Sequence, residues 1–260
     1  MSTDTVTLNH LTQGPADAPA VLLGPSLGTT LDMWDGLAAA LVPEFRVIRF
    51  DTRGHGGSPV PHGSYTMPAL TDDVLALADH LGLGAFAYVG LSLGGGIGQT
   101  LALEHPDRLR SLVLSCTASR FGDPATWRER AARVRAEGMG WLAAPTAERW
   151  FTPELLRERP EETQRILAML VSTDPVGYAG CCDAIAAYDV TDRLDEVRTP
   201  TLVIGADQDP VTTPAVTGAL ADRIPGAGHV VLEGAAHIAN VARPDEFGRL
   251  VREHLRRTVA

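Results

Sequence analysis

Ala85-Phe86-Ala87-Tyr88-Val89-Gly90-Leu91-Ser92-Leu93-Gly94-Gly95 decides how the chain is read: an apolar strand runs into a glycine-flanked serine, and a helical stretch ending near His105-Pro106 follows. A bare G-x-S-x-G match says little, but between a strand and a helix it places a serine on a strained, exposed turn. Residues two before and two after that serine must be small for the backbones to pass, and Gly90 and Gly94 are. The helix that follows turns its N–H groups and positive dipole end toward any oxyanion formed beside Ser92.

Outward from this stretch, Ala20–Leu23, Arg46–Phe50, Ala85–Val89 and Leu109–Ser115 read as strands alternating with helices over Leu31–Leu41 and Pro68–Leu81. That order predicts an α/β fold with a mostly parallel sheet and flanking helices. Ser119–Tyr188 then reads as helices only, with Asp123-Pro124, Thr152-Pro153 and Asp174-Pro175 as helix starts. Strands resume at Thr201–Ile204 and His229–Leu232, and a last helix spans about Asp245–Arg256. The expected organisation is a core domain of residues 1–118 and 189–260 interrupted by a helical lid over 119–188.

A serine needs an imidazole base, and the base needs an orienting acid. Of eight histidines, His237 follows the last strand among small residues, Gly234-Ala235-Ala236-His237-Ile238-Ala239-Asn240, and is the candidate base. The acid belongs in Gly205-Ala206-Asp207-Gln208-Asp209-Pro210, after a β-branched strand; Asp209 is favoured, with Asp207 as competitor. The loop Gly24-Pro25-Ser26-Leu27-Gly28-Thr29 offers the Leu27 N–H to join that of Leu93 as an oxyanion hole. Asp51-Thr52-Arg53-Gly54-His55-Gly56-Gly57-Ser58 reads as structural, with Asp51 and Arg53 tying loops by charge-assisted hydrogen bonds.

Composition narrows the chemistry. All 22 basic residues of the 260 are arginine, which removes Schiff-base lysines, phosphate-loop lysines and Ser–Lys dyads. The net charge of −10 gives no footprint for nucleic acid or anionic lipid. Neither metal-ligand spacing nor a dinucleotide fingerprint is present, so no cofactor and no metal are expected. Three cysteines, two of them adjacent, imply no disulfide framework, and a polar start without a signal-peptide order points to the cytoplasm. The charge-free stretch Leu81–Leu103 carries seven glycines and reads as buried core rather than a membrane span. Nothing in the sequence speaks to oligomeric state.

Over nearly its whole length the sequence resembles the α/β-hydrolases, whose fold sets the chain order Ser92, Asp209, His237. Within them it is similar to the 3-oxoadipate enol-lactonases of aromatic catabolism. The narrower likeness lies in Ser26-Leu27-Gly28-Thr29 with Met33-Trp34, Glu137-Gly138-Met139, Arg149-Trp150-Phe151, and Gly177-Tyr178 with Cys182-x-Ala184-Ile185. Two departures stand out: Asp209 lies one residue further after Gly205 than the family pattern places its acid, and the oxyanion loop lacks the histidine common in many relatives. Ending at Ala260, the sequence is also expected to lack the decarboxylase domain fused to some relatives. The resemblance implies hydrolysis of a small carboxylate-bearing lactone through an acyl-enzyme in the β-ketoadipate pathway. Trp127 and Trp150 are expected to line the pocket roof, and Arg120, Arg130 or Arg149 to meet the carboxylate. The same scaffold also serves carboxylesterases, carbon–carbon bond hydrolases and perhydrolases, and a ligand receptor is the reading from another class.

Overall fold

The structure is a computed structural model that describes residues 5–259. Residues 1–4 and 260, which belong to the polar start and to the outer ends of the expected core segments, lie outside the described residues. Among the described residues seven strands form one sheet: β1 (His10–Gln13), β2 (Ala20–Gly24), β3 (Arg46–Phe50), β4 (Phe86–Leu91), β5 (Leu109–Ser115), β6 (Thr201–Ala206) and β7 (Gly228–Leu232). Their spatial order is β1-β3-β2-β4-β5-β6-β7, parallel throughout except for β1, which runs antiparallel to β3. Sequence reading assigns no strand before Ala20. β1 is a polar, largely exposed edge strand with no apolar alternation, and backbone pairing to β3 alone defines it.

The first helices are α1 (Asp35–Leu41), α2 (Met67–His80) and α3 (Leu93–Glu104). The helix expected over Leu31–Leu41 divides, with a 3-10 turn at Leu31–Trp34 ahead of α1. The cause is competition for backbone groups: Leu31 N–H donates to Asp51 Oδ1 (2.7 Å), and Met33 C=O accepts from Asn240 Nδ2 (2.8 Å). The charge-free stretch Leu81–Leu103 becomes β4 and most of α3, both buried. Among the described residues no helix is long and apolar enough to cross a membrane.

Between β5 and β6 lie α4 (Pro124–Glu137), α5 (Ala143–Trp150), α6 (Pro153–Glu158), α7 (Pro160–Ser172) and α8 (Pro175–Ala186). Asp123, Thr152 and Asp174 each accept from a backbone N–H of the first turn, as their position before proline predicts. The chain closes with α9 (Pro214–Arg223), α10 (Ala239–Ala242) and the amphipathic α11 (Pro244–Thr258), whose apolar side includes buried Phe247, Val251 and Leu255.

The loop after β3 is anchored as its charges predict. Asp51 accepts from Leu31 N, Gly57 N and Asn9 Nδ2, at 2.7, 2.8 and 2.7 Å. Arg53 pairs in fork geometry with Asp73 of α2, Nε to Oδ2 at 2.5 Å and Nη2 to Oδ1 at 2.7 Å, and both side chains are buried. Removing one member of such a pair leaves a charge without its counter-ion in low dielectric. Asp73→Ala should therefore lose about 3–5 kcal/mol in urea unfolding. The double change Arg53→Met with Asp73→Leu should recover more than half of that loss, measured as a shift of midpoint at unchanged m.

Candidate active site

β4 ends at Leu91 and α3 begins at Leu93, leaving Ser92 alone on the turn at φ 57°, ψ −112°. A non-glycine residue held there costs of order 1–3 kcal/mol, so the surroundings must impose it. They do so by hydrogen bonds and by close approach. Ser92 N donates to Ser115 O at 2.9 Å, and Ser92 O accepts from Thr117 Oγ1 at 2.8 Å. A Cβ on Gly90 would lie 2.2 Å from Gly94 O, and one on Gly94 would lie 2.1 Å from Gly24 O. Both positions are thereby restricted to glycine.

At the far side of the sheet, β6 and β7 deliver the other two groups. Asp207 N donates to Leu232 O and Gln208 N to Ala235 O, stitching the two loops together. Of the competing aspartates, Asp209 meets His237, Oδ2 to Nδ1 at 2.8 Å, whereas Asp207 accepts the Ala235 N–H at 3.2 Å. Asp209 also accepts from Val211 N (2.7 Å), Thr212 N (3.1 Å) and Thr212 Oγ1 (2.6 Å). Burial opposes its ionised form, but His237 and these donors outweigh it and hold the carboxyl below its ordinary value. An ionised carboxylate only accepts, so Nδ1 of His237 carries a proton toward Asp209.

Leu27 and Leu93 stand where oxyanion donors are expected, Leu27 in the loop after β2 and Leu93 as the first residue of α3. Among the described residues, neither N–H donates to a protein acceptor. Gly94 N donates to Pro25 O at 3.1 Å, which ties the two loops that carry them.

Ser92, His237 and Leu27 line one cavity roofed from α4, α5 and α8. Trp127, Trp150, Arg130 and Arg149 all line it, with Phe121, Thr146, Tyr178, Ile185 and Val211. Arg120 does not; it lies half-exposed opposite Asp189, 4.0 Å away, where an isolated backbone bridge pairs the two residues. Arg130 lies 4.5 Å over the Trp127 ring, and Arg149 donates to Thr146 Oγ1 at 3.2 Å. Among the described residues, neither Arg130 nor Arg149 is paired with a carboxylate. Burial, then repulsion from Arg130, pulls Arg149 below its ordinary value. Two guanidiniums without a carboxylate partner carry the charge and the forked donors that charge-assisted binding of an anion uses. Phe121 and Thr146 had no signal in the sequence, since nothing in a helical pattern says which face roofs a cavity, whereas Tyr178 and Ile185 stood in motifs that carry the family likeness without being assigned to the cavity. Val211, two residues after Asp209, was within reach of that reasoning.

An α/β-hydrolase fold model matches residues 19–244. The chain is 40% identical over 252 residues to 3-oxoadipate enol-lactonase 2 of Acinetobacter baylyi, covering 97% of this chain and 94% of that protein. Among solved structures it is similar to the enol-lactonase from Burkholderia xenovorans LB400, with a TM-score of 0.94, 42% identity, and 96% of each chain covered. A thermophilic esterase from Thermogutta terrifontis, solved with malate bound, matches at a TM-score of 0.93 and 34% identity, over 97% of this chain and 94% of that one. With this sheet order and these relatives, the chain belongs to the α/β-hydrolase family and is a hydrolase that resembles the 3-oxoadipate enol-lactonases.

Proposed function

We propose that this hydrolase opens 3-oxoadipate enol-lactone to 3-oxoadipate, by a serine mechanism, in the β-ketoadipate pathway of aromatic catabolism. The observation that carries the reading is the unneutralised pair Arg130 and Arg149 in the cavity that also holds Ser92 and His237. A neutral ester needs no such pair, and the lactone bears one carboxylate. Two relatives named as enol-lactonases support the substrate, and the malate held by the Thermogutta esterase is itself a carboxylate ligand.

In this reading Ser92 Oγ attacks the lactone carbonyl while His237 Nε2 takes its proton. The tetrahedral oxyanion is held by the N–H groups of Leu27 and Leu93, and Asp209 stabilises the imidazolium that forms. The ring C–O bond breaks, His237 protonates the leaving enolate, and the enol becomes a ketone. An enolate leaves readily, so the oxyanion hole carries more of the demand than the general acid. Water, deprotonated by His237, then attacks the acyl-enzyme and releases the second carboxylate with Ser92 restored.

Ser92→Ala and His237→Ala should each lower kcat on the enol-lactone by at least ~10³-fold, with the double variant scarcely worse than either, since the residues act as one unit. Circular dichroism establishes that the fold survives, and activity within tenfold of wild type in either single variant overturns the serine assignment.

Asp209→Asn should cost orders of magnitude in kcat, because His237 loses the partner that sets its tautomer. Asp207→Asn should cost far less, and the reverse ranking would move the acid to Asp207.

Arg149→Gln and Arg130→Gln should each raise KM for the enol-lactone while leaving p-nitrophenyl acetate nearly unchanged, as loss of uniform binding to a charged group requires. Arg120→Gln should leave both substrates alone. Measured at matched ionic strength, equal effects on the charged and the neutral substrate would refute carboxylate recognition by this pair.

A further inference from the structure

The oxyanion loop is a tight turn whose middle is held by a residue from another loop. Thr29 N donates to Ser26 O at 3.1 Å, closing a four-residue turn with Leu27 and Gly28 at its centre. Gly28 has φ +80° and Leu27 is not among the positive-φ residues, which makes the turn type II. Its flanks are secured locally, since Ser26 O also accepts from Thr29 Oγ1 (2.8 Å) and Ser26 N meets Met33 Sδ (3.3 Å). The soft element is the central peptide between Leu27 and Gly28, because types I and II differ mainly by rotating that one plane.

The Gly28 N–H of that peptide donates to Nε2 of His55 at 3.0 Å, in a buried setting. A backbone amide can only donate, so Nε2 is the unprotonated nitrogen, and Nδ1 carries its proton toward Arg53 O at 3.2 Å. Burial favours this neutral ring and pulls His55 below the ordinary imidazole range. Were the peptide to rotate, the Leu27 carbonyl would turn toward the His55 lone pair and the Gly28 N–H would lose its acceptor. On the other side the turn is closed in by the roof: a Cβ on Gly28 would lie 2.5 Å from Leu170 Cδ1 and 3.2 Å from Tyr178 Cε2.

We infer that His55 is a positioning residue for the oxyanion hole, fixing the Leu27–Gly28 peptide and with it the turn on which the neighbouring Ser26–Leu27 peptide presents the Leu27 N–H to the reacting oxygen. This rests on the serine-hydrolase reading above. It assigns to the loop after β3 the support that the oxyanion loop, which has no histidine of its own, does not supply internally.

The test is steady-state hydrolysis of p-nitrophenyl acetate by the full chain carrying His55→Leu, His55→Gln or His55→Asn, with thermal unfolding followed in parallel. Leucine removes the acceptor, glutamine presents an oxygen at about the reach of Nε2, and asparagine ends near Nδ1. Oxyanion donors act in the transition state, so His55→Leu should lower kcat by about 10–10²-fold with KM within about twofold. His55→Gln should recover most of that loss and His55→Asn should not. If the leucine variant does not fold, the contrast between glutamine and asparagine decides. The inference is overturned if folded His55→Leu keeps wild-type kcat, if its loss lies in KM, or if glutamine and asparagine behave alike. Turnover by Ser92→Ala would instead remove the serine-hydrolase reading, so the two failures are distinct.

Discussion

How closely three stretches of backbone approach one another around Ser92 governs the rest of the site. Gly90 and Gly94 face each other across the turn, and Gly94 faces Gly24 at the end of β2. These contacts bring the end of β2, the end of β4 and the start of α3 into one small region. The loop that carries Leu27 and the start of α3 that carries Leu93 are brought together there. The positive φ of Ser92 is the local cost of that convergence, and the hydrogen bonds to Ser115 O and from Thr117 Oγ1 offset it. Thr117 follows β5, so the next strand of the sheet also helps to hold the turn.

Much of this was legible in the sequence because it is written in local pattern. Glycines at fixed offsets from Ser92, a β-branched strand before Asp209, and small residues around His237 each carry their meaning within about ten positions. Boundaries that depend on distant partners were not legible. The helix over Leu31–Leu41 divides because Asp51 and Asn240, 20 and 207 positions from their partners, take up backbone groups that a continuous helix would use. β1 shows the same limit in a strand, as do the cavity-facing side chains of the roof. Arg120, Arg130 and Arg149 are alike as sequence, and only tertiary placement turns two of them toward Ser92 and one toward Asp189.

A net charge of −10 disfavours capture of an anion at long range, yet the cavity presents positive charge. Screening reconciles the two. At physiological ionic strength the Debye length is about 8 Å, so acidic residues spread over the surface contribute little at the cavity, whereas half-buried guanidiniums are screened much less. Burial first, and then repulsion from Arg130, lowers the pKa of Arg149, and an anion placed between the two guanidiniums would relieve that repulsion.

The roof that carries these arginines is fastened to the segment that carries the candidate base. His237 N donates to Arg149 O at 3.4 Å and Ile238 N to Trp150 O at 3.2 Å. Arg159 reaches the carbonyls of Val241 and Ala242, and Arg165 reaches Asp35 and the carbonyl of Asp32. A displacement of α5 would therefore move the Arg149 guanidinium and the imidazole together. The roof contributes fixed geometry at this edge, where Arg149 and His237 share one stretch of hydrogen-bonded backbone. Binding energy from a remote carboxylate helps the reaction only when the distance from that carboxylate to the reacting carbonyl is rigidly matched by the protein. The hydrogen bonds between residues 149–150 and 237–238 supply that rigidity directly, without passing through the sheet.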